Sequence, residues 1–77
     1  MKNVSIVYCK PCGYFRRATD AAAALEKKLG IVATLVPGKG GIFEVRVDDK
    51  VVIKRGQDHF PDTNEIVAAV AAAAQAR

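Results

Sequence analysis

Val4-Ser5-Ile6-Val7-Tyr8-Cys9-Lys10-Pro11-Cys12-Gly13-Tyr14-Phe15 is the stretch that decides the fold. Val4–Tyr8 is rich in β-branched and aromatic residues and ends in the Cys-Lys-Pro-Cys turn, so it reads as a short buried strand. Beyond the turn the period changes from strand to helix. Phe15, Ala18, Ala22, Leu25 and Leu29 recur at three- and four-residue spacing, which predicts a helix from about Gly13 to Leu29 with those residues on its buried face. Arg16, Asp20, Lys27 and Lys28 fall largely on the other side, and Arg16 and Asp20 have the spacing of a helix-surface ion pair. Gly30 supplies the left-handed cap that ends such a helix.

Working outward, Ile31–Val36 is a second strand, and strand–helix–strand in this order favours a right-handed parallel unit. Pro37-Gly38-Lys39-Gly40-Gly41 reads as a loop. Phe43, Val45 and Val47 then alternate with Glu44 and Arg46, giving a strand with one apolar and one polar face. Asp48-Asp49 makes a hairpin turn, less ideal than Asp-Gly, and Lys50–Lys54 returns. Gly56–Pro61 is another loop. Asp62 and Glu65 form a capping box ahead of a last helix that runs to about Gln75, whose alanines carry high helix propensity. The expected fold is α/β, strand-helix-strand-strand-strand-helix, with a four-stranded mixed sheet and two helices packed on it. If the hairpin lies beside strand one, the order is 2-1-3-4, with strand three antiparallel to strand one and strand four parallel to it.

Seventy-seven residues make one domain, 1–77. Half the residues are hydrophobic (51%) and the net charge is only +4, which excludes intrinsic disorder. The longest apolar stretch, Ile66 to Ala74, is far short of the ~20 residues a membrane span takes, and no secretory signal is visible. A soluble cytoplasmic protein with no membrane role is the expectation. The basic residues come as scattered pairs (Arg16–Arg17, Lys27–Lys28, Lys54–Arg55) without interleaved aromatics or any Trp. Solvated faces explain them better than nucleic acid does, and an acidic small thiol is the kind of anion they would favour.

The two cysteines, Cys9 and Cys12, are the only ones. A bridge across two residues removes little chain entropy, so stapling the fold does not explain the pair. Placed between a strand and a helix, a Cys-x-x-Cys pair reads as a redox dithiol. Unpaired amides and the dipole at a helix start stabilise a thiolate. Lys10 adds a positive charge, and Pro11 is expected to stiffen the first helical turn. Such a pair attacks a disulfide and then resolves the mixed intermediate. Zinc would need four ligands, and the chain offers Cys9, Cys12 and His59, so no metal is expected. Topology brings the Pro37–Gly41 and Gly56–Pro61 loops to the sheet edge where strand one ends, so Gly40, Gly41, His59 and Phe60 are candidates to flank the dithiol. Gly40 and Gly41 serve either close approach of a peptide backbone or simply the turn. His59 is either a thiolate partner or a surface residue, and Phe60 either a site residue or a core plug.

The strand ending in Tyr8-Cys9-Lys10-Pro11-Cys12, the segment Gly40-Gly41-Ile42-Phe43-Glu44-Val45, and Phe60-Pro61-Asp62 with Glu65 together resemble the selenoprotein W-like (Rdx) family over nearly the whole chain. The resemblance implies a compact thioredoxin-like fold and thiol redox linked to glutathione, which would be a co-substrate, with no resident cofactor. Glutathione or protein disulfides are the partners it implies. Many members carry selenocysteine where this chain has Cys12, which implies slower exchange here and points to Cys12 as attacker. Helix-start geometry favours Cys9, and Cys9 is the assignment taken. Thioredoxins proper place a cis-proline opposite the dithiol; here Gly41-Ile42 takes that place. The reading from another class is a redox-gated protein-binding module without substantial turnover.

Overall fold

The structure, a computed structural model, describes residues 3–56 and 59–75. Gln57 and Asp58 of the expected second loop lie outside the described residues. Strand β1 (Val4–Cys9) leads through helix α1 (Phe15–Leu29) to β2 (Thr34–Gly38), then to the hairpin β3 (Phe43–Val47) and β4 (Lys50–Lys54), and ends in α2 (Thr63–Gln75). The sheet order is β2-β1-β3-β4, with β1 parallel to β2, and β3 antiparallel to both β1 and β4. This is the expected thioredoxin-like arrangement.

Alternation along the strands assigns the two faces. Val4, Ile6 and Tyr8 of β1 and Phe43, Val45 and Val47 of β3 are buried with Ala18, Ala21 and Leu25 of α1 and Ile66 and Val70 of α2. Both helices therefore cover one face of the sheet. The other face, carrying Ser5, Val7, Thr34, Val36, Glu44 and Arg46, has no helix on it. Glu44 and Arg46 pair there at 2.8 Å, and the carboxylate's hydrogen bond and charge push the Arg46 pKa up.

Three expectations shift. The second strand is Thr34–Gly38 instead of Ile31–Val36, because pairing runs from Ser5 with Thr34 to Cys9 with Gly38. Pro37 is tolerated inside it because β2 is an edge strand. The Gly38 carbonyl accepts from the Lys10 amide, so Gly38 turns its polar groups toward β1 and Pro37 turns its nitrogen outward, where a missing N–H costs nothing. The first helix begins at Phe15 rather than Gly13, since Gly13 sits at φ 81°, outside any helix. Phe15 itself is 53% exposed, not part of the buried stripe; it stands at the helix rim against the Tyr8 ring, centroids 5.7 Å apart. Ala21 is buried in the core beside Ala18 and Leu25.

The remaining local readings hold. Gly30 ends α1 in the left-handed conformation and donates its amide to Glu26. Arg16 and Asp20 pair at 3.9 Å on the surface. The Glu65 amide donates to Asp62 Oδ1 at 2.8 Å and the Asp62 amide to Glu65 Oε1 at 3.2 Å, a reciprocal capping box. In the hairpin, Asp48 and Asp49 both take positive φ, 52° and 70°, as a two-residue primed turn requires. Asp48 is further clasped to Asn3, whose amide donates to Asp48 Oδ1 at 2.9 Å. Beyond the turn, Val45 pairs with Ile53 and Arg46 with Val51, leaving Val52 as a bulge.

Two stability outcomes follow from these local geometries. Asp49→Gly removes a left-handed penalty of about 1 kcal/mol and adds somewhat less in chain entropy. It is expected to raise the melting temperature by about 2–4 °C, as read by thermal circular dichroism. Asp62→Ala breaks the capping box and is expected to lower unfolding free energy by about 1 kcal/mol, as read from urea midpoints at constant slope.

Candidate redox site

Cys9 is the last residue of the central strand β1, and Cys12 lies in the turn that follows. The two are joined as a disulfide, with Cα atoms 5.3 Å apart. Their environments differ sharply: Cys9 is fully buried, at 0% exposure, whereas Cys12 is exposed with Lys10, Pro11 and Gly13 around it.

Backbone hydrogen bonds fix this turn. The Cys9 amide donates to the Ile42 carbonyl at 2.7 Å and the Lys10 amide to the Gly38 carbonyl at 3.1 Å. One bond reaches toward β3 and the other toward β2, so the end of β1 is gripped from both sides. Within the turn, the Gly13 amide donates to Lys10 and the Tyr14 amide to the Cys9 carbonyl, at 3.1 and 3.3 Å.

Pro11 lies in this turn and outside α1, a correction to its expected place in the first helical turn. The geometric ground for choosing Cys9 as attacker goes with it. A helix dipole acts within about one turn of the helix end. Cys9 is six residues before Phe15 and belongs to the strand; Cys12 is three residues before it and open to solvent.

The flanking candidates separate. Lys10 is exposed and makes no ion pair among the described residues. Gly40 and Gly41 both take positive φ, 76° and 78°, so the turn itself requires glycine there. The Gly41 carbonyl accepts from Arg55 Nη1 at 3.4 Å, and the same guanidinium lies 5.9 Å above the Tyr14 ring. Phe60 packs edge-on against Tyr14 at 5.1 Å and tilted against Phe43 at 4.8 Å, with Arg17 stacked on its ring at 4.1 Å. It is therefore a plug that also buttresses the residue two beyond Cys12. His59 is exposed, and its Nε2 meets both carboxylate oxygens of Glu65 at 2.9 and 2.7 Å at the start of α2.

Sequence reasoning passed over Gly38, Tyr14 and Arg55. Tyr14 carried a signal, an aromatic just past the motif. Gly38 carried none, because its role comes from a cross-strand approach. A cleft of about 200 Å³ lies between the N-terminal ends of α1 and α2, floored by Phe43, Pro61 and Ile66; neither cysteine lines it. Among the described residues, no three His, Cys, Asp or Glu side chains gather to hold a metal ion, and no helix is long and apolar enough to cross a membrane.

Comparison with known proteins agrees with this geometry. No curated protein matches the sequence. Among solved structures, a protein of Bordetella parapertussis is 28% identical and superposes with a TM-score of 0.84 over 94% of this chain and 96% of its own. A selenoprotein W-related protein of Vibrio cholerae is 25% identical, with a TM-score of 0.80 over 94% of this chain and 95% of its own. The model of the Rdx family matches residues 3–72. A strand-end Cys-x-x-Cys pair closed as a disulfide, on this sheet and across nearly the whole chain, thus places the protein in the Rdx family, whose signature points to thiol redox chemistry.

Proposed function

We propose that this protein is a thiol–disulfide oxidoreductase in which Cys12 attacks and Cys9 resolves, revising the sequence-based choice of attacker. The observation that carries the reading is the contrast between an exposed Cys12 and a fully buried Cys9 in one motif. Only the exposed sulfur is open to an incoming disulfide.

The Cys12 thiolate attacks one sulfur of a substrate R–S–S–R′, forming Cys12–S–S–R and releasing R′–S⁻. The Cys9 thiol, deprotonated as it reacts, then attacks the Cys12 sulfur. This forms the Cys9–Cys12 disulfide and releases R–S⁻, so two electrons pass to the substrate. Two molecules of glutathione restore the dithiol and leave as glutathione disulfide, which makes glutathione the co-substrate and cell redox homeostasis the role. Lys10, exposed beside the motif, would attract its carboxylates. The Gly40–Gly41 turn would offer backbone without side chains to a peptide. A reducing cytoplasm suits a chain whose only cysteines form a redox motif.

The exposed Phe15 ring beside the motif favours a second reading, a redox-gated module that docks a protein partner without turning over.

The test is intact mass and free-thiol count across a series of glutathione redox buffers. A two-electron transition, with a glutathione adduct at intermediate ratios, is the expected result; a pair that stays reduced throughout would discard the oxidoreductase. Cys9→Ser should accumulate the mixed disulfide on Cys12, and Cys12→Ser should abolish adduct formation by at least tenfold. Adducts that survive Cys12→Ser and vanish with Cys9→Ser would return the attacking role to Cys9. Catalytic turnover with small disulfides supports the oxidoreductase, whereas affinity that depends on redox state without turnover supports the docking module.

A further inference from the structure

Cys9 is sealed on a side of the sheet that no helix covers. Along β1, Cys9 shares the parity of Ser5 and Val7, whose face lies opposite the helices. Its parallel neighbour in β2 is Gly38. On that face Val36 is 39% exposed, Thr34 is exposed, and Gly38 has no side chain to offer cover, whereas Val7, two residues before Cys9, is buried. Cys9 has 0% exposure there, and the Cys12 sulfur bonded to it covers part of that surface.

The position of Ile42 points to a second cover, from the protein itself. Ile42 precedes β3 on the other side of β1, opposite Cys9, whose amide it accepts at 2.7 Å. A Cβ built on Gly38 would lie 2.9 Å from Ile42 Cγ2 and 3.3 Å from Val7 Cγ1. Gly38 ends β2 and Ile42 immediately precedes β3, on opposite sides of β1, roughly two strand spacings of about 4.8 Å apart. A side chain that starts beside β3 and touches the Cα position of β2 must cross the end of β1, and it does so on the face where Cys9 lies. Gly38 is open to no Cβ because Ile42 already fills that space.

We propose that Ile42 is a lid over Cys9, with Gly38 as the socket that lets it close. This rests on the oxidoreductase reading in assigning Cys9 the resolving role, and it adds how that role is enforced. The lid leaves Cys12 as the one sulfur an external disulfide reaches. Cys9 stays reachable only from within the motif, by the Cys12 sulfur of a mixed disulfide. Ile42 is a positioning residue that acts through Cys9.

The test measures the lid without requiring turnover. In reduced protein carrying Cys12→Ser, Cys9 is the only thiol, and its alkylation by iodoacetamide is followed by intact mass under native conditions. The expected result is slow alkylation, at least tenfold slower than in the urea-unfolded chain. Adding Ile42→Ala should speed it at least tenfold. Gly38→Ala, which keeps Ile42 but fills its socket, should do the same, and Ile42→Leu should restore most of the protection. Each variant's far-ultraviolet circular dichroism and urea midpoint are recorded alongside. Should Ile42→Ala fail to fold, Gly38→Ala and the smaller truncation Ile42→Val carry the same comparison. Rates within twofold of the Cys12→Ser parent in folded Ile42 and Gly38 variants would overturn the lid. Because these rates are independent of any substrate, they fail separately from the oxidoreductase reading. In the chain with both cysteines, loss of the lid should also let glutathione adducts form on Cys9 as well as Cys12, as mapped by peptide mass; adducts confined to Cys12 in folded Ile42→Ala would likewise count against it.

Discussion

Two amide hydrogens at the end of one strand, on Cys9 and Lys10, are given to carbonyls on opposite neighbours, Ile42 and Gly38. Much of the site depends on that arrangement. Because β1 is central, both of its edges are occupied, and its last residue is held by the neighbouring chain on either side as well as by the turn beyond it. Cys9 is thereby a fixed point of the sheet, while Cys12 stands on the short turn that leaves it. The same two bonds set the starting positions of the β2 exit and the β3 entry, and thus where Ile42 and the Gly40–Gly41 turn lie relative to the sulfurs. A dithiol built wholly on a loop would carry both cysteines into solvent together. One built across a strand end divides them between core and surface.

Burial decides between the cysteines where the dipole argument does not. Partial charge at a helix N-terminus is worth about 0.3–1 kcal/mol and fades within a turn. With α1 starting at Phe15, the effect at Cys9 is slight. Access to an external disulfide, by contrast, is close to all-or-none for a sulfur with no exposed surface. The steric contrast therefore outweighs the electrostatic one, and both point to Cys12. Around that exposed sulfur the framework is stiffened from the helix side. Arg17, Phe60, Tyr14 and Arg55 stack in series, and Arg55 reaches the Gly41 carbonyl. The turn after β2 and the turn after β1 are linked through this stack, so the two walls of the site share one support.

What the sequence made legible were features whose cause is local. The hairpin at Asp48-Asp49, the capping box of Asp62 and Glu65, and the Gly30 cap each depend on residues a few positions apart, and each stands as read. The strand order was legible as well, because a parallel crossover and a hairpin leave few ways to share one short sheet. The misreadings have non-local causes. Pro37 read as the start of a loop, yet proline fits an edge strand; its edge position came from the order of all four strands. Phe15 fitted the helical stripe, yet a stripe does not say where the covering sheet ends, and Phe15 stands past its rim. Pro11 looked like a first-turn residue because nothing local announces that Gly13 turns to positive φ before the helix begins. Candidate site residues divided the same way. Cys9 and Cys12 were found by spacing, whereas His59 was proposed from topology alone, and the pairing of its ring with Glu65 was not foreseen.

The asymmetry between the sulfurs was the part least open to a linear reading, and the reason is geometric. Cys9 follows Tyr8 and Cys12 follows Pro11, but neither neighbour determines burial on a face that no helix covers. That burial needs a side chain from one flanking strand to cross to the other, and the crossing needs a residue there with no Cβ. Gly38 and Ile42 are four positions apart in sequence and on opposite sides of β1 in space, so only the completed sheet brings them together. A glycine that looked like loop punctuation is thus a steric requirement of the site. Substitution at Gly38 would be felt at Cys9 although the two share no side-chain chemistry. In a chain this small, most buried positions serve the fold and the site at once. The same cross-strand contact that completes the packing at the end of β1 also decides which sulfur meets the solvent.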